Sequence, residues 1–214
     1  MEPVTKQDFV ERFIPRLHVS PPPEVMDHSL PAIRSDDDLN GGLVRVSGMK
    51  SRAAAVLVAL IERGGELHVL LTQRSDSLPT HPGQIAFPGG KIDATDPGPV
   101  ECALRETHEE TGVAPEFVEP VGFLDVYQTR TGFRVVPVVA LLKPGYALVP
   151  EAGEVTAIFD VPLAHFMNRA NHLRHSREWQ GATRYFYAMP YGDYYVWGAT
   201  AGMLKNLHDR VYGP

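Results

Sequence analysis

The sequence predicts a mixed α/β (α+β) sandwich with a mixed β-sheet. Three observations carry this reading. Short β-rich runs lie on both sides of one central helical stretch at residues 99–111. A second helical stretch closes the chain. The strand-like runs do not alternate regularly with helices, which argues against a repeated βαβ array.

The elements follow in order. Residues 5–18 place Phe9, Phe13, Ile14 and Leu17 at helical spacing behind a Thr5 N-cap. Pro15 lies inside this stretch and either kinks the helix or divides it into two short turns. Residues 20–42 read as a linker, stiff at Pro21-Pro22-Pro23 and carrying the charge run Asp36 to Asp38, expected to be solvated. That linker is either an ordered, irregular arm or disordered. Ala53 to Glu62 and Glu66 to Gln73 are β-rich and flank Arg63-Gly64-Gly65, which predicts a hairpin. Gln84 to Phe87 reads as a short strand. Pro99 to Thr111 reads as a helix, with proline suited to its first turn and Gly112 to the position after its end. Phe117 to Tyr127 and Phe133 to Leu142 alternate as strands around a turn at Thr131-Gly132. Val155 to Phe159 is a short strand and Pro162 to Asn168 a short helix. Tyr185 to Met189 and Tyr194 to Trp197 read as strands. A final helix, Ala199 to Tyr212, buries Met203, Leu204 and Leu207. The chain thus divides into an arm over residues 1–44 and a domain over 45–214, without internal repeats.

Composition narrows the function classes. At 214 residues and 43% hydrophobic content, one domain with decoration can build a sizeable core. A net charge of -6 argues against a nucleic-acid binder that works by neutralising phosphates. The single cysteine, Cys102, fits a reducing compartment and reads as a small buried residue. The N-terminal MEPVTKQDFVERF has no apolar stretch and does not read as a signal peptide. Ala53 to Ile61, the longest apolar run, is too short to span a bilayer. A soluble, cytoplasmic protein without a membrane partner is expected, and a homodimer is compatible with the sequence.

The central helix concentrates charge. Glu106, Glu109 and Glu110 fall on one face beside Arg105. Like charges at such spacings destabilise a helix by roughly 0.2–0.5 kcal/mol per pair. The pattern is either a solvated acidic face or a seat for a divalent cation, which takes carboxylate oxygens. The preceding Phe87-Pro88-Gly89-Gly90 favours the cation. Two glycines at a strand end let the backbone pass close to the helix and turn a carbonyl toward a metal.

These residues resemble the box of the Nudix hydrolases, G-x5-E-x7-R-E-U-x-E-E-x-G-U, with U a bulky apolar residue. Gly90 is followed by five residues and then Asp96, and eight more lead to Arg105-Glu106-Thr107-His108-Glu109-Glu110-Thr111-Gly112-Val113. Asp96 stands for Glu, the spacer is one longer, and Thr107 replaces the apolar residue. The longer spacer with Asp is similar to the coenzyme A pyrophosphatase branch. So are Leu70-Leu71-Thr72, Arg74-Ser75, Gly83 and Phe87-Pro88-Gly89-Gly90, which fit that branch's upstream signature in register. Pro79 stands where the signature has a second arginine. Gly153-Glu154-Val155 and Val196 to Leu204 resemble further stretches of the same branch, and the resemblance runs over about residues 50 to 210.

The resemblance implies a Nudix-type α/β/α sandwich and metal-dependent hydrolysis of a pyrophosphate bond. It implies Glu106 and Glu110 as primary ligands to Mg²⁺ or Mn²⁺, with Glu109 and a carbonyl of the Gly89-Gly90 turn completing the set. The general base comes from Glu106 or Glu154, Glu109 belongs to the catalytic set, and Arg105 orients the carboxylates. Coenzyme A also needs cations away from the metal, for which Arg74, Arg130 and Arg134 are candidates. Gly90 lies at the substrate. His81 either bonds phosphate or shapes its loop. A Nudix enzyme with another nucleoside diphosphate substrate (ADP-ribose, NADH or a dinucleoside polyphosphate) is the alternative, and a non-catalytic Nudix-fold binding module is a third reading.

Overall fold

The computed structural model describes residues 2–41, 51–179 and 181–214. Among these, nine strands form one mixed sheet, and a separate two-stranded ribbon stands beside it. The expected hairpin is present as β2 (Arg52–Arg63) and β3 (Glu66–Arg74). Gly64 and Gly65 turn it with φ of 58° and 88°, the pair of positive values that a tight hairpin turn demands. β2 also runs parallel to β8 (Phe133–Leu142), from Arg52 opposite Phe133 to Leu60 opposite Leu141.

β2 is buried almost throughout because both of its faces are covered. Val58 and Leu60 join a core with Phe9, Phe13, Met203 and Leu204. Leu57 and Ala59 point the other way, into a core with Cys102, Ala103 and Val136. Successive side chains of a strand face opposite sides, so this alternation places α2 (Pro99–Thr111) on one face and α4 (Gly198–Tyr212) on the other. The α/β/α sandwich is thereby realised.

The remaining strands extend this frame. β4 (Ile85–Ala86) pairs with β3, and β5 (Gly89–Lys91) pairs with β2. β6 (Val118–Phe123) and β7 (Tyr127–Gln128) both pair with β8. β9 (Val155–Pro162) is longer than expected, pairs with β3 and leads straight into α3 (Leu163–Met167). The ribbon consists of β10 (Leu173–Trp179) and β11 (Ala182–Ala188). Tyr194 to Trp197, expected as a strand, makes only isolated bridges, Tyr191 with Tyr194 and Ala188 with Trp197. Among the described residues, no helix is long and apolar enough to cross a membrane.

The N-terminal residues are part of the sandwich. Thr5 caps α1 (Lys6–Asp8) in a capping box with Asp8. A π-helical turn (Phe9–Phe13) and a 3₁₀ turn (Ile14–Arg16) continue it, so the stretch expected as a kinked helix or two short turns is three short pieces ending around Pro15. Phe9 and Phe13 are fully buried. The linker is an ordered, irregular arm, with Val25 and Ala32 buried. Within it, β1 (Arg34–Ser35) pairs in parallel with β7. The boundary expected at 44/45 lies outside the described residues.

Two expectations are corrected here. Asp36 to Asp38 is not solvated throughout: Asp38 is exposed, but Asp36 is only partly so and Asp37 is not. Asp37 is buried and ion-pairs with Arg130. Asp36 accepts bonds from the Tyr127 hydroxyl at 3.1 Å and the Arg130 backbone N–H at 2.8 Å. Arg134, expected at the substrate, is buried and donates to the arm carbonyls of Glu24 (2.8 Å), Asp27 (3.1 Å) and His28 (3.3 Å). A guanidinium presents several donors in a rigid fork, which suits it to gather three carbonyls of an irregular segment.

Candidate active site

The site forms where β5 passes under α2. Pro99 opens α2 behind Gly98, and Gly112 closes it in the left-handed region at φ 75°. The helix buries Cys102, Ala103, Thr107 and Thr111 toward the sheet. Thr107, which stands for an apolar residue, is fully buried because its hydroxyl donates to the Ala103 carbonyl at 2.6 Å. Cys102 is fully buried, and burial pushes its thiol up to about 12, which disfavours the nucleophilic thiolate.

Arg105 organises the acids. Its Nε and Nη2 donate to the two oxygens of Asp96 at 3.0 and 2.9 Å. Its Nη1 donates to Glu106 Oε1 at 2.8 Å and to Glu109 Oε2 at 3.1 Å. This fork-on-carboxylate bond holds the Asp96 carboxyl down at about 2. Asp96, at the head of the longer spacer, thus anchors the arginine that orients the box.

The glycine pair brings backbone against carboxylate. A Cβ on Gly90 would lie 2.4 Å from the Glu106 carboxyl carbon. On Gly89, which adopts φ 155°, a Cβ would lie 2.4 Å from the Ala55 carbonyl oxygen. Burial raises Glu106 above the usual carboxylate range. Burial raises Glu110 to about 7, partly opposed by the Arg74 guanidinium and a bond from the Gly89 backbone. The loop after residue 148 docks on the end of α2, with Val149 N–H on the Thr111 carbonyl and Glu151 N–H on the Glu110 carbonyl. It brings exposed Glu154 near enough to raise Glu110 further.

The donor set fits a hard divalent cation in kind: carboxylate oxygens, with backbone carbonyls nearby. Buried Glu110 and half-buried Glu106 both have a raised pKa, which a bound cation would reverse. Among the described residues, no three ligating side chains are gathered on one point as they stand. Glu106 and Glu109 each turn one oxygen onto Arg105.

A cleft of about 1590 Å³ opens beside the glycine pair; Arg74, His81, Gly89, Gly90 and Arg130 line it, whereas Glu106, Glu109, Glu110 and Glu154 do not. His81 is exposed with φ 56°, so it also shapes its loop. Arg130 is held by Asp37 within the cleft wall. The far wall comes from the β10–β11 ribbon and Trp197. Sequence reasoning missed the arginines of that wall, because they carry no motif and are remote from the box.

Comparison with known proteins bears on this geometry. Residues 50–179 match the family model described as NUDIX domain. A protein named uncharacterized Nudix hydrolase NudL from Enterobacter sp. (strain 638) is 38% identical over 159 residues, 74% of this chain and 82% of that protein. Nudix hydrolase 15, mitochondrial, of Arabidopsis thaliana is 38% identical over 170 residues, 76% of this chain and 60% of that protein. A crystal structure titled as a C. elegans Ap4A hydrolase binary complex is 25% identical, covers 52% of this chain and 80% of that one, and has a TM-score of 0.43. With its box folded around Arg105 and its length matched at this level, the chain belongs to the NUDIX domain family.

Proposed function

We propose that this chain hydrolyses the pyrophosphate bond of coenzyme A, or of its acyl or oxidised derivatives, giving 3′,5′-ADP and 4′-phosphopantetheine derivatives. Nudix hydrolases act on pyrophosphate bonds of small nucleotide substrates and generally use divalent metals. The finer reading is supported by one observation above others. Arg74 of the upstream signature meets Glu110 electrostatically and lines the same cleft as the glycine pair. The signature and the box therefore converge on one place, although 36 positions separate Arg74 from Glu110.

Glu106, Glu109, Glu110 and a carbonyl of the Gly89-Gly90 turn would hold Mg²⁺ or Mn²⁺. When bound, such an ion neutralises charge on the diphosphate and lowers the pKa of water. The protein's own contribution is orientation. Arg105, fixed by Asp96, holds Glu106 and Glu109 by one oxygen each. Glu106 or Glu154 accepts the proton of the attacking water, and Arg74 and His81 face the phosphates from the cleft wall. The second reading, another nucleoside diphosphate derivative, is favoured by Pro79, which offers no donor in its loop.

The test is a substrate panel of coenzyme A, its 3′-dephospho form, ADP-ribose, NADH and a dinucleoside polyphosphate, each with Mg²⁺ or Mn²⁺. Coenzyme A is expected to give the highest kcat/KM. EDTA abolishes turnover, and Glu110→Gln lowers it by at least ~100-fold, in line with the loss of a transition-state charge contact. Faster cleavage of ADP-ribose would overturn the substrate. No metal-dependent cleavage of any member would favour the binding module.

A further inference from the structure

We propose that Arg177 and Arg184 form an anion subsite that receives a phosphate monoester carried by the substrate away from the bond that is cut. The inference rests on the substrate reading above and names the group that would select coenzyme A over its dephospho form. Arg177 on β10 lies directly opposite Arg184 on β11. Directly opposed residues of an antiparallel ribbon project from the same face, and like charges so placed are destabilising. Both arginines line the cleft that contains Arg74 and the glycine pair.

Two further observations point to an anion. The Nε of Arg184 is buried and meets no acceptor among the described residues, a costly state for a charged donor. The guanidinium carbon of exposed Arg177 lies 5.0 Å from the centre of the Trp197 ring, a cation–π contact that favours this placement of the side chain. Two forks on one face match the geometry of a phosphate with its several oxygens.

The ribbon is also held in place. The Asn40 side chain donates to the Tyr185 carbonyl at 2.9 Å and accepts from the Tyr185 N–H at 2.9 Å. Asn40 is thereby a positioning residue for β11, one position from Arg184.

The experiment compares the wild-type chain with Arg177→Gln, Arg184→Gln and the double variant, with Mg²⁺ present and folding checked by circular dichroism. KM is measured for coenzyme A and 3′-dephospho-coenzyme A, and affinity by calorimetry for 3′,5′-ADP and 5′-AMP. In the wild type, coenzyme A is expected to have a KM ~10-fold below the dephospho form, and 3′,5′-ADP to bind ~10-fold tighter than 5′-AMP, as for a charge-assisted phosphate contact. Both ratios collapse toward 1 in the folded double variant. Ratios that keep their wild-type values in that variant overturn the subsite, as does equal wild-type affinity for the two nucleotides. A wild-type chain that leaves coenzyme A intact, yet prefers 3′,5′-ADP and loses that preference in the double variant, sinks the substrate reading and sustains the subsite.

Discussion

Gly90 shows how one missing side chain sets the chemistry of its neighbour. The backbone of β5 runs so close to Glu106 that any Cβ would enter its carboxylate. Gly90→Ala should therefore fold but lose at least ~100-fold in kcat/KM, because misplacing a reacting group by about 1 Å costs that much. Gly89→Ala meets backbone instead, at the Ala55 carbonyl, so its melting temperature should fall as well. Asp96 offers a separate test in pH. Arg105 holds it at about 2, below its ordinary 3.8. The folded protein thus binds this proton less readily than the unfolded chain does. The pair's stabilisation is fully present above about pH 4 and is lost as pH falls through about 2. Asp96→Asn should flatten acid unfolding in that window and lower Tm near neutral pH by roughly 2–4 °C for each kcal/mol lost. The glycines and the charged residues were legible in the sequence by type and spacing. Asp96 as the partner of Arg105 was not, since nine positions and a loop separate them.

Among the elements, α2 was the most legible, with both its ends as expected, because Pro99 and Gly112 mark them chemically. β5 escaped notice because a Gly-Gly-Lys strand has no β-propensity and is held only by its ladder to β2. β10 escaped because LRHSREW shows no apolar alternation; its ribbon is solvated rather than packed in the main sheet. The reverse error at Tyr194 to Trp197 has the same root. Aromatic content suggested a strand, whereas those rings pack face to face and edge to face, as in the Phe159–Tyr194 stack at 3.6 Å. α4 carries its own test at Gly202, where a Cβ would meet the Tyr127 ring at 2.5 Å. Overpacking of this kind costs about 1–3 kcal/mol. Tyr127 also donates to Asp36 of the arm, so Gly202→Ala should lower Tm and expose the arm to proteolysis together.

Over the whole molecule, the two faces of β2 carry two cores, and the N-terminal residues complete one of them. Phe13→Ala should destabilise the chain by about 3–5 kcal/mol, measured by urea unfolding, although Phe13 is remote from the box in sequence. The fold class was legible because it depends on the order of elements. The arm's structure was not, because the bonds that fix it span great lengths of chain. Asp37 meets Arg130 across 93 positions, and Arg134 reaches Glu24 across 110. A run of three aspartates looks hydrated in any short window, and only the folded chain supplies the guanidinium that buries one of them. The same long reach removed Arg134 from the candidate site and left Arg74 in it.

The Asn40 amide, which satisfies both backbone groups of Tyr185, has a consequence for traffic through the cleft. It works as a hasp between two flaps that are far apart along the chain. While it is shut, neither flap swings alone. Cutting that link by Asn40→Ala is expected to leave the N-terminal segment and the ribbon both more open to proteolysis.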